Sequence, residues 1–270
     1  MLDVHPPHTP THTWRDFFIH IATIVVGLVI AVGLEQTVEA IHHLHQASEL
    51  VESMRSEARQ NIPALRESEA RLDTQSQYMA SLSDALLQAR PLTQQTFGQQ
   101  VLAHGVTPPR SSIVYLSPSR AAWLNAQSSG VAALLPTDQA FLYARLDRNT
   151  LTVMDGEETM LVSVKDVAAE CAAAHYIHTD PAPQAISVAH RDELLLRIER
   201  AQIDIDRLGV IMRILEGGDE AVDAGAKSLS SMYTYQNAVL ARVTRKSDLS
   251  LFYAGDVQLK TDGTQPPPDK

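Results

Sequence analysis

A single cysteine, Cys171, stands in the whole chain. One thiol excludes an intrachain disulfide and every CxxC redox or zinc motif, and it leaves the redox compartment open. Aromatic residues are scarce at 5%. With alanine and leucine plentiful, that scarcity favours helices over a β-sandwich. Basic residues are in deficit: 22 Lys and Arg against 32 Asp and Glu give a net charge of -10. Nucleic-acid binding draws on neutralised phosphates, so this balance argues against a nucleic-acid partner. It argues equally against docking of the polar part on anionic lipid. Also missing are GxSxG, a P-loop, HExxH and any glycine-rich phosphate cradle. No catalytic residue and no cofactor is assigned, and a role other than catalysis is expected.

What the chain does carry is an uncharged stretch, Phe17 to Leu34 (FFIHIATIVVGLVIAVGL), in which only His20 and Thr23 are strongly polar. As a helix rising about 1.5 Å per residue it reaches about 27 Å, close to the ~30 Å hydrocarbon thickness of a bilayer. A helix satisfies its own backbone hydrogen bonds, which lipid cannot do, so the stretch is a viable span. Trp14, Phe17 and Phe18 at its start suit the membrane interface. A cleaved signal would have a shorter apolar run followed by a small-x-small site. Ala31-Val32-Gly33 has that pattern but lies inside the run, so a retained anchor is expected. Arg15 precedes the span, whereas Glu35 to Met54 holds no Lys or Arg and gathers Glu35, Glu39, Glu49 and Glu52. The positive-inside bias therefore predicts a cytoplasmic N-terminus and a periplasmic main domain on a bacterial inner membrane.

The organisation expected from this is a disordered tail over 1–16, a transmembrane helix over 17–36, a soluble helical domain over 37–258 and a disordered tail over 259–270. Residues 1–13 hold three prolines and three histidines without periodicity. His5, His8 and His12 could take up a metal, but a solvated tail is the commoner meaning of such a segment. Past the span, Ile41, Leu44, Val51, Ala58, Ile62 and Leu65 recur at three- and four-residue steps and predict one inward stripe. The helix would then link membrane and domain rigidly. Pro63 should kink or restart it, with Asn61 as the cap. The pattern resumes through Leu72, Met79, Leu82 and Leu86.

Farther on, Phe97 to Leu102 suggests a short helix. Ser117-Pro118 reads as the start of another, which stops at Ser128-Ser129-Gly130. Pro136-Thr137-Asp138 opens a long helix with Tyr143, Leu146, Val153, Met160, Val164, Val167, Cys171 and Ala174 on one stripe and a weak point at Asp155-Gly156. Pro181 and Pro183 mark a turn. From Arg191, the series Leu194, Ile198, Ala201, Ile205, Leu208, Met212 and Leu215 forms a coiled-coil-like seam that Gly217-Gly218 should close. A last helix is expected over Asp223 to Arg245, with Leu229, Met232, Ala238, Val239 and Val243 inward. The predicted class is all-α, one N-terminal transmembrane helix continuing into an antiparallel bundle of long helices.

Two segments carry a resemblance. Ile24-Val25-Val26-Gly27-Leu28-Val29-Ile30-Ala31-Val32 resembles the V-V-I-G-I-L-I-A-L core of a group of bacterial single-pass membrane proteins of unknown function. Trp123-Leu124-Asn125-Ala126-Gln127-Ser128-Ser129-Gly130, with Leu135, is similar to that group's aromatic-x-x-x-x-x-S-G-x-x-x-x-L segment. The chain departs from the group at His20, where a glutamate is usual, and at Glu35-Gln36-Thr37, where Asn-Trp is usual. The resemblance implies membrane location and a helical domain, and brings no activity with it.

Several residues are candidates for chemistry. Gly27-xxx-Ala31 is a small-xxx-small pair that admits a second helix within the bilayer, although such pairs are frequent in spans. His20 is ionisable and about one turn into the span, a functional signal by default, yet near enough to the interface to snorkel. His20, Gly27 and Ala31 are thus the candidate helix-contact residues. Glu39-Ala-Ile-His42 has the Glu-x-x-His spacing of di-iron bundles, with His43 and His45 beside it, but the second copy such a site requires is missing. Cys171, His175 and His178 offer three zinc-type ligands. Against that, Cys171 sits on the apolar stripe and the histidines suit a helix C-terminus, so no metal is assigned.

The expected partners are the lipid bilayer and other membrane subunits or a second copy. The expected role is a structural or accessory subunit of a membrane assembly. The alternative is a ligand-sensing bundle coupled to a partner through the anchor helix; residues 1–16 are short for an output domain, which favours the accessory role. A metal-dependent enzyme is the third class.

Overall fold

The computed structural model describes residues 14–88, 118–177 and 187–242. No strand occurs among the described residues, in line with the predicted all-α class. Among the described residues five helices follow one another: α1 (Trp14–Gln88), α2 (Ala121–Ser129), α3 (Thr137–Ile177), α4 (Val188–Asp223) and α5 (Leu229–Ala241), with a 3-10 turn, Val131–Leu134, after α2. The helix expected at Phe97 to Leu102, the turn at Pro181 and Pro183, Val243 and the C-terminal tail lie outside the described residues. So do 1–13, whereas Trp14–Asp16, expected in the tail, are helical. Packing divides the chain into two units, Met1–Glu49 and Leu50–Lys270.

In the first unit α1 is bare. Among the described residues it is the one helix long and apolar enough to cross a membrane, with a mean hydropathy of 2.6 over its most apolar window and none of that window buried. The hydroxyls of Thr23 and Thr37 donate to the carbonyls of Ile19 (2.8 Å) and Gly33 (2.7 Å), so neither asks for water. Trp14 packs on Phe17 and Phe18 with ring centroids 5.7 Å apart in both pairs. Ile41 and Leu44, expected on the inward stripe, are 62% and 72% exposed. The apolar spacing is there, but among the described residues of this unit nothing packs against it.

In the second unit Ala58, Leu65, Leu72, Met79, Leu82 and Leu86 of the stripe are buried, whereas Val51 and Ile62 are only half-buried and Leu50 and Met54 face inward beside them. Pro63 neither stops nor restarts α1, which runs on as one helix. An interior proline costs about 3 kcal/mol. Burying leucine and methionine side chains on its C-terminal side returns about 1.5–3 kcal/mol each, which is enough to hold the helix through it. Asn61 caps nothing in α1. Its side chain instead accepts from the Ser119 backbone N–H at 2.9 Å and donates to the Ser119 carbonyl at 3.3 Å.

The start of α2 differs from the Ser117-Pro118 reading. The helix begins at Ala121, and Arg120 at its N-cap supplies no side-chain cap. Glu57 of α1 caps it from outside, accepting from the Ala122 N–H (2.9 Å) and the Ser119 hydroxyl (2.8 Å). A carboxylate there also meets the positive end of the helix dipole. Arg120 grips both oxygens of Asp147 on α3 at 2.7 and 2.9 Å. Trp123 is buried edge-on against Tyr143, with centroids 6.0 Å apart. Gly130 ends α2 at φ 80, a conformation that glycine adopts without strain. The aromatic-to-Ser-Gly-to-leucine segment is therefore a wedge: Trp123 and Leu135 are buried on either side of a left-handed glycine.

All seven residues of the α4 seam are buried. Partners across α1 and α4 run in opposite directions: Arg59 meets Asp223, Arg66 meets Glu216 and Glu220, and Arg213 meets Glu69. Across α3 and α4, Ser163 bonds Asp204 while Glu170 pairs with Arg197, again antiparallel. The glycines expected to break helices instead bring them together. At Gly156 a Cβ would lie 3.3 Å from Leu208, and α3 continues through it. At Gly217 a Cβ would lie 2.5 Å from the Gln236 Cα, and at Gly218 2.7 Å from Leu146. So α4 runs past the pair to Asp223, and α5 begins only at Leu229, after a left-handed Gly225. On α5, Met232, Val239 and Leu240 are buried while Ala238 is exposed.

Gly217→Ala should cost about 1–3 kcal/mol, because backbone rather than a movable side chain opposes the methyl group. Gly209→Ala, where a Cβ meets nothing within 4 Å, should stabilise α4 by about 1 kcal/mol through helix propensity. Thermal unfolding of the full-length chain, followed by circular dichroism in detergent, reads both. Equal melting temperatures for the two variants would contradict the close α4–α5 approach.

A polar cleft between three helices

The residues singled out in the sequence do not gather. His20, Gly27 and Ala31 are exposed on α1, and among the described residues nothing comes within 4 Å of a Cβ at Gly27. His43 faces Glu39 at 3.9 Å, His45 faces Glu49 at 3.1 Å, and His42 bonds Gln46 at 3.1 Å, all on the helix surface. Cys171 and His175 lie in the last turns of α3, with side chains outside those described, and His178 lies outside the described residues. Among the described residues no three His, Cys, Asp or Glu side chains converge as a metal site requires.

A different set of residues does gather. In the second unit α1, α4 and α5 enclose a cleft of about 420 Å³. That volume falls in the roughly 300–1,000 Å³ range of small-molecule sites. Beside Asp219 and Trp123 a second cavity holds about 10 Å³, room for about one water. The trough between α3 and α4 at Asp155, Glu158 and Arg200 is wider, about 540 Å³, but lies open on the surface.

One end of the cleft is an ion-pair network. Arg66 donates through Nε to Glu216 and through a terminal nitrogen to Glu220, both at 2.6 Å. Arg242 reaches from α5 to both oxygens of Glu220 at 3.0 and 3.1 Å. The Glu216 side chain is only 5% exposed, and the cost of burying it is offset by the charged donor. The hydrogen bond to Glu216 in turn raises the Arg66 pKa above its ordinary value.

Deeper in, Arg213 donates to Glu69 Oε2 at 3.3 Å. The other oxygen, Oε1, is buried and has no hydrogen-bond partner among the described residues. Burial above all, reinforced by Glu216 and Asp73, pushes the Glu69 carboxyl up to about 7, against the opposing pull of Arg213. Asp219, on the same helix, is 1% exposed. Burial raises its pKa well above the usual carboxylate range, with Glu57 and Glu216 adding and a hydrogen bond from Asn61 opposing.

Composition and apolar periodicity passed over this site, but a trace of it is in the sequence. Glu69, Asp73 and Ser76 on α1, and Asp206, Gly209, Arg213 and Glu216 on α4, repeat at the same three- and four-residue steps as the apolar seams beside them. A polar row at seam spacing, interrupted by a glycine, is the signal. Comparison of the chain with protein-family models, with curated proteins and with solved structures finds no match.

Glu69 binds its proton more tightly folded than unfolded. Its contribution to stability is therefore complete below about 4.5 and is lost as pH rises to about 7. Asp219 acts with the same sign. Stability of the wild type should fall between pH about 4.5 and about 7, and Glu69→Gln should flatten that slope. Denaturant melts across this range measure it, and an unchanged slope in the variant would show that Glu69 is not the titrating group.

Proposed function

We propose that this chain is a single-pass protein of a bacterial inner membrane, N-terminus cytoplasmic, holding an antiparallel helical bundle on the periplasmic side and acting by binding rather than catalysis. Its first role is that of a structural or accessory subunit of a membrane assembly, with the bilayer and other subunits or a second copy as partners. The observation that carries this reading is the first part of α1, an apolar helix that none of the described residues covers. His20, Gly27 and Ala31 are its proposed contacts within the membrane. The likeness to single-pass membrane proteins of unknown function supports the same reading through the span and the Trp123–Gly130 segment.

A second reading, a solute-sensing bundle, is favoured by one specific observation: the cleft of about 420 Å³ with a buried, unpartnered carboxylate oxygen on its wall. Mild-detergent affinity purification separates the two. Stoichiometric membrane partners support the accessory role, whereas a monomer whose melting temperature rises with a small solute supports sensing. In either case carbonate washing should leave the full-length polypeptide in the membrane pellet. Release into the wash, or a mature chain lacking the span, would overturn the anchored reading.

A further inference from the structure

Two buried polar atoms of the second unit, one on α2 and one on α4, have no partner of their own. They are the Trp123 indole Nε1–H and the Asp219 carboxyl Oδ2, in residues only 5% and 1% exposed. Asn61 hydrogen-bonds the Asp219 carboxyl, and among the described residues Oδ2 is the oxygen left over. Polar atoms withdrawn from solvent are costly unless something bonds them, and native interiors leave few in that condition. The two differ in kind. An indole nitrogen only donates, whereas a carboxyl oxygen accepts when ionised and can donate when neutral.

Both residues line the same cavity, the one of about 10 Å³ walled by α1, α2, α3 and α4. Its size admits about one water-sized ligand and no organic solute. The rest of the polar lining has room for a donor. Glu57 Oε2 accepts from the Ser119 hydroxyl and the Ala122 N–H, and a carboxylate offers about four lone-pair sites. The Thr150 hydroxyl donates to the Leu146 carbonyl at 3.1 Å, and its oxygen can still accept.

We propose that this cavity is a binding site for a single water molecule, which accepts from Trp123 Nε1–H, bonds Asp219 Oδ2 and donates to Glu57 or Thr150, so that α2 is joined to α4 through a ligand. The chemistry selects water among ligands of this size. A sodium ion or an ammonium ion accepts no hydrogen bond, so either would leave the indole N–H unmet. Chloride donates nothing and would sit among the carboxyl groups of Glu57, Asp147 and Asp219, where Arg120 is already held by Asp147. Water both accepts and donates, and it therefore suits Asp219 in either protonation state. The site depends on neither the accessory nor the solute-binding role. It ties the first turn of α2 down twice, to α1 through the Glu57 cap and to α4 through the bound water.

The test is a crystal structure of the full-length protein, grown in lipid and resolved finely enough to show ordered solvent, together with amide exchange of the same protein in detergent. A solvent peak within about 2.7–3.2 Å of both Trp123 Nε1 and Asp219 Oδ2 is expected. An empty cavity, or a peak that misses Trp123 and is ringed by oxygens alone, would overturn the proposal. Amide exchange across Ala121–Ser129, read by mass spectrometry, should quicken by about two- to tenfold in Trp123→Phe. Lost packing alone would have the same sign, so the deciding reading is the cycle with Asp219→Leu. With a shared water, Trp123→Phe quickens exchange less in the Asp219→Leu background than in the wild type. Equal ratios in the two backgrounds would show two independent groups and overturn the bridge. Asp219→Asn, whose amide can still bond the water, should stay within about twofold of the wild type; an effect as large as that of Asp219→Leu would count against the bridge. The crystallographic reading decides the matter if Asp219→Leu does not fold. Replacing sodium by choline in the buffer should leave the melting temperature unchanged, whereas a sodium-dependent rise that Asp219→Asn removes would make the ligand a cation and overturn the assignment to water.

Discussion

One turn of α4, from Glu216 to Asp219, meets α1, α3 and α5 and shares a small cavity with α2, and the packing there depends on it. Glu216 takes a hydrogen bond from Arg66 of α1, Gly217 lies against the backbone of α5, and Gly218 lies against Leu146 of α3. Asp219 shares its small cavity with Trp123 of α2. Two side chains at this turn are acidic and nearly without solvent contact; the other two are hydrogen atoms. At 217 a methyl group would overlap backbone already in place, whereas at 218 it would press on the end of the Leu146 side chain. This convergence fixes the spacing of α1, α4 and α5, and so the width of the cleft that Glu216 itself lines.

The apolar seams were legible because burial by neighbouring helices repeats at the helical period. Leu194 through Leu215 and Leu65 through Leu86 could be read directly as inward rows. What local rules missed was decided by partners distant in sequence. Gly217-Gly218 has the composition of a helix stop, and Pro63 that of a break, yet both lie inside continuous helices because packing outweighs local preference. Asn61 looked like a cap for its own helix and braces Ser119 instead. Ile41 and Leu44 show the converse: helical spacing was correctly seen, but spacing alone does not supply a surface to pack against. The cleft escaped notice for a related reason. Polar residues at seam spacing look like a solvated face until the structure brings a second polar row opposite them.

The placement of charge sorts into two kinds. Surface pairs such as Arg197 with Glu193 and Glu170 add little individually. The network of Arg66, Arg242, Glu216 and Glu220 is different, because Glu216 is buried and would be costly to leave alone. Glu69 and Asp219 stand apart again: each sits where ionisation is disfavoured, one at the wall of an open cleft and the other sealed from water. A chain of such acidic composition need not bury any carboxylates at all; among the described residues it buries Glu216 and Asp219 on α4 and Glu157 on α3.

The external cap on α2 has a consequence for how this part of the chain comes into being. A nine-residue helix without a capping side chain of its own is too short to persist as an isolated segment in water. Its first turn is completed by a carboxylate 65 residues earlier, and its tryptophan is buried against Tyr143 of α3. The segment therefore acquires its shape last, as an insert moulded by two longer helices already in place.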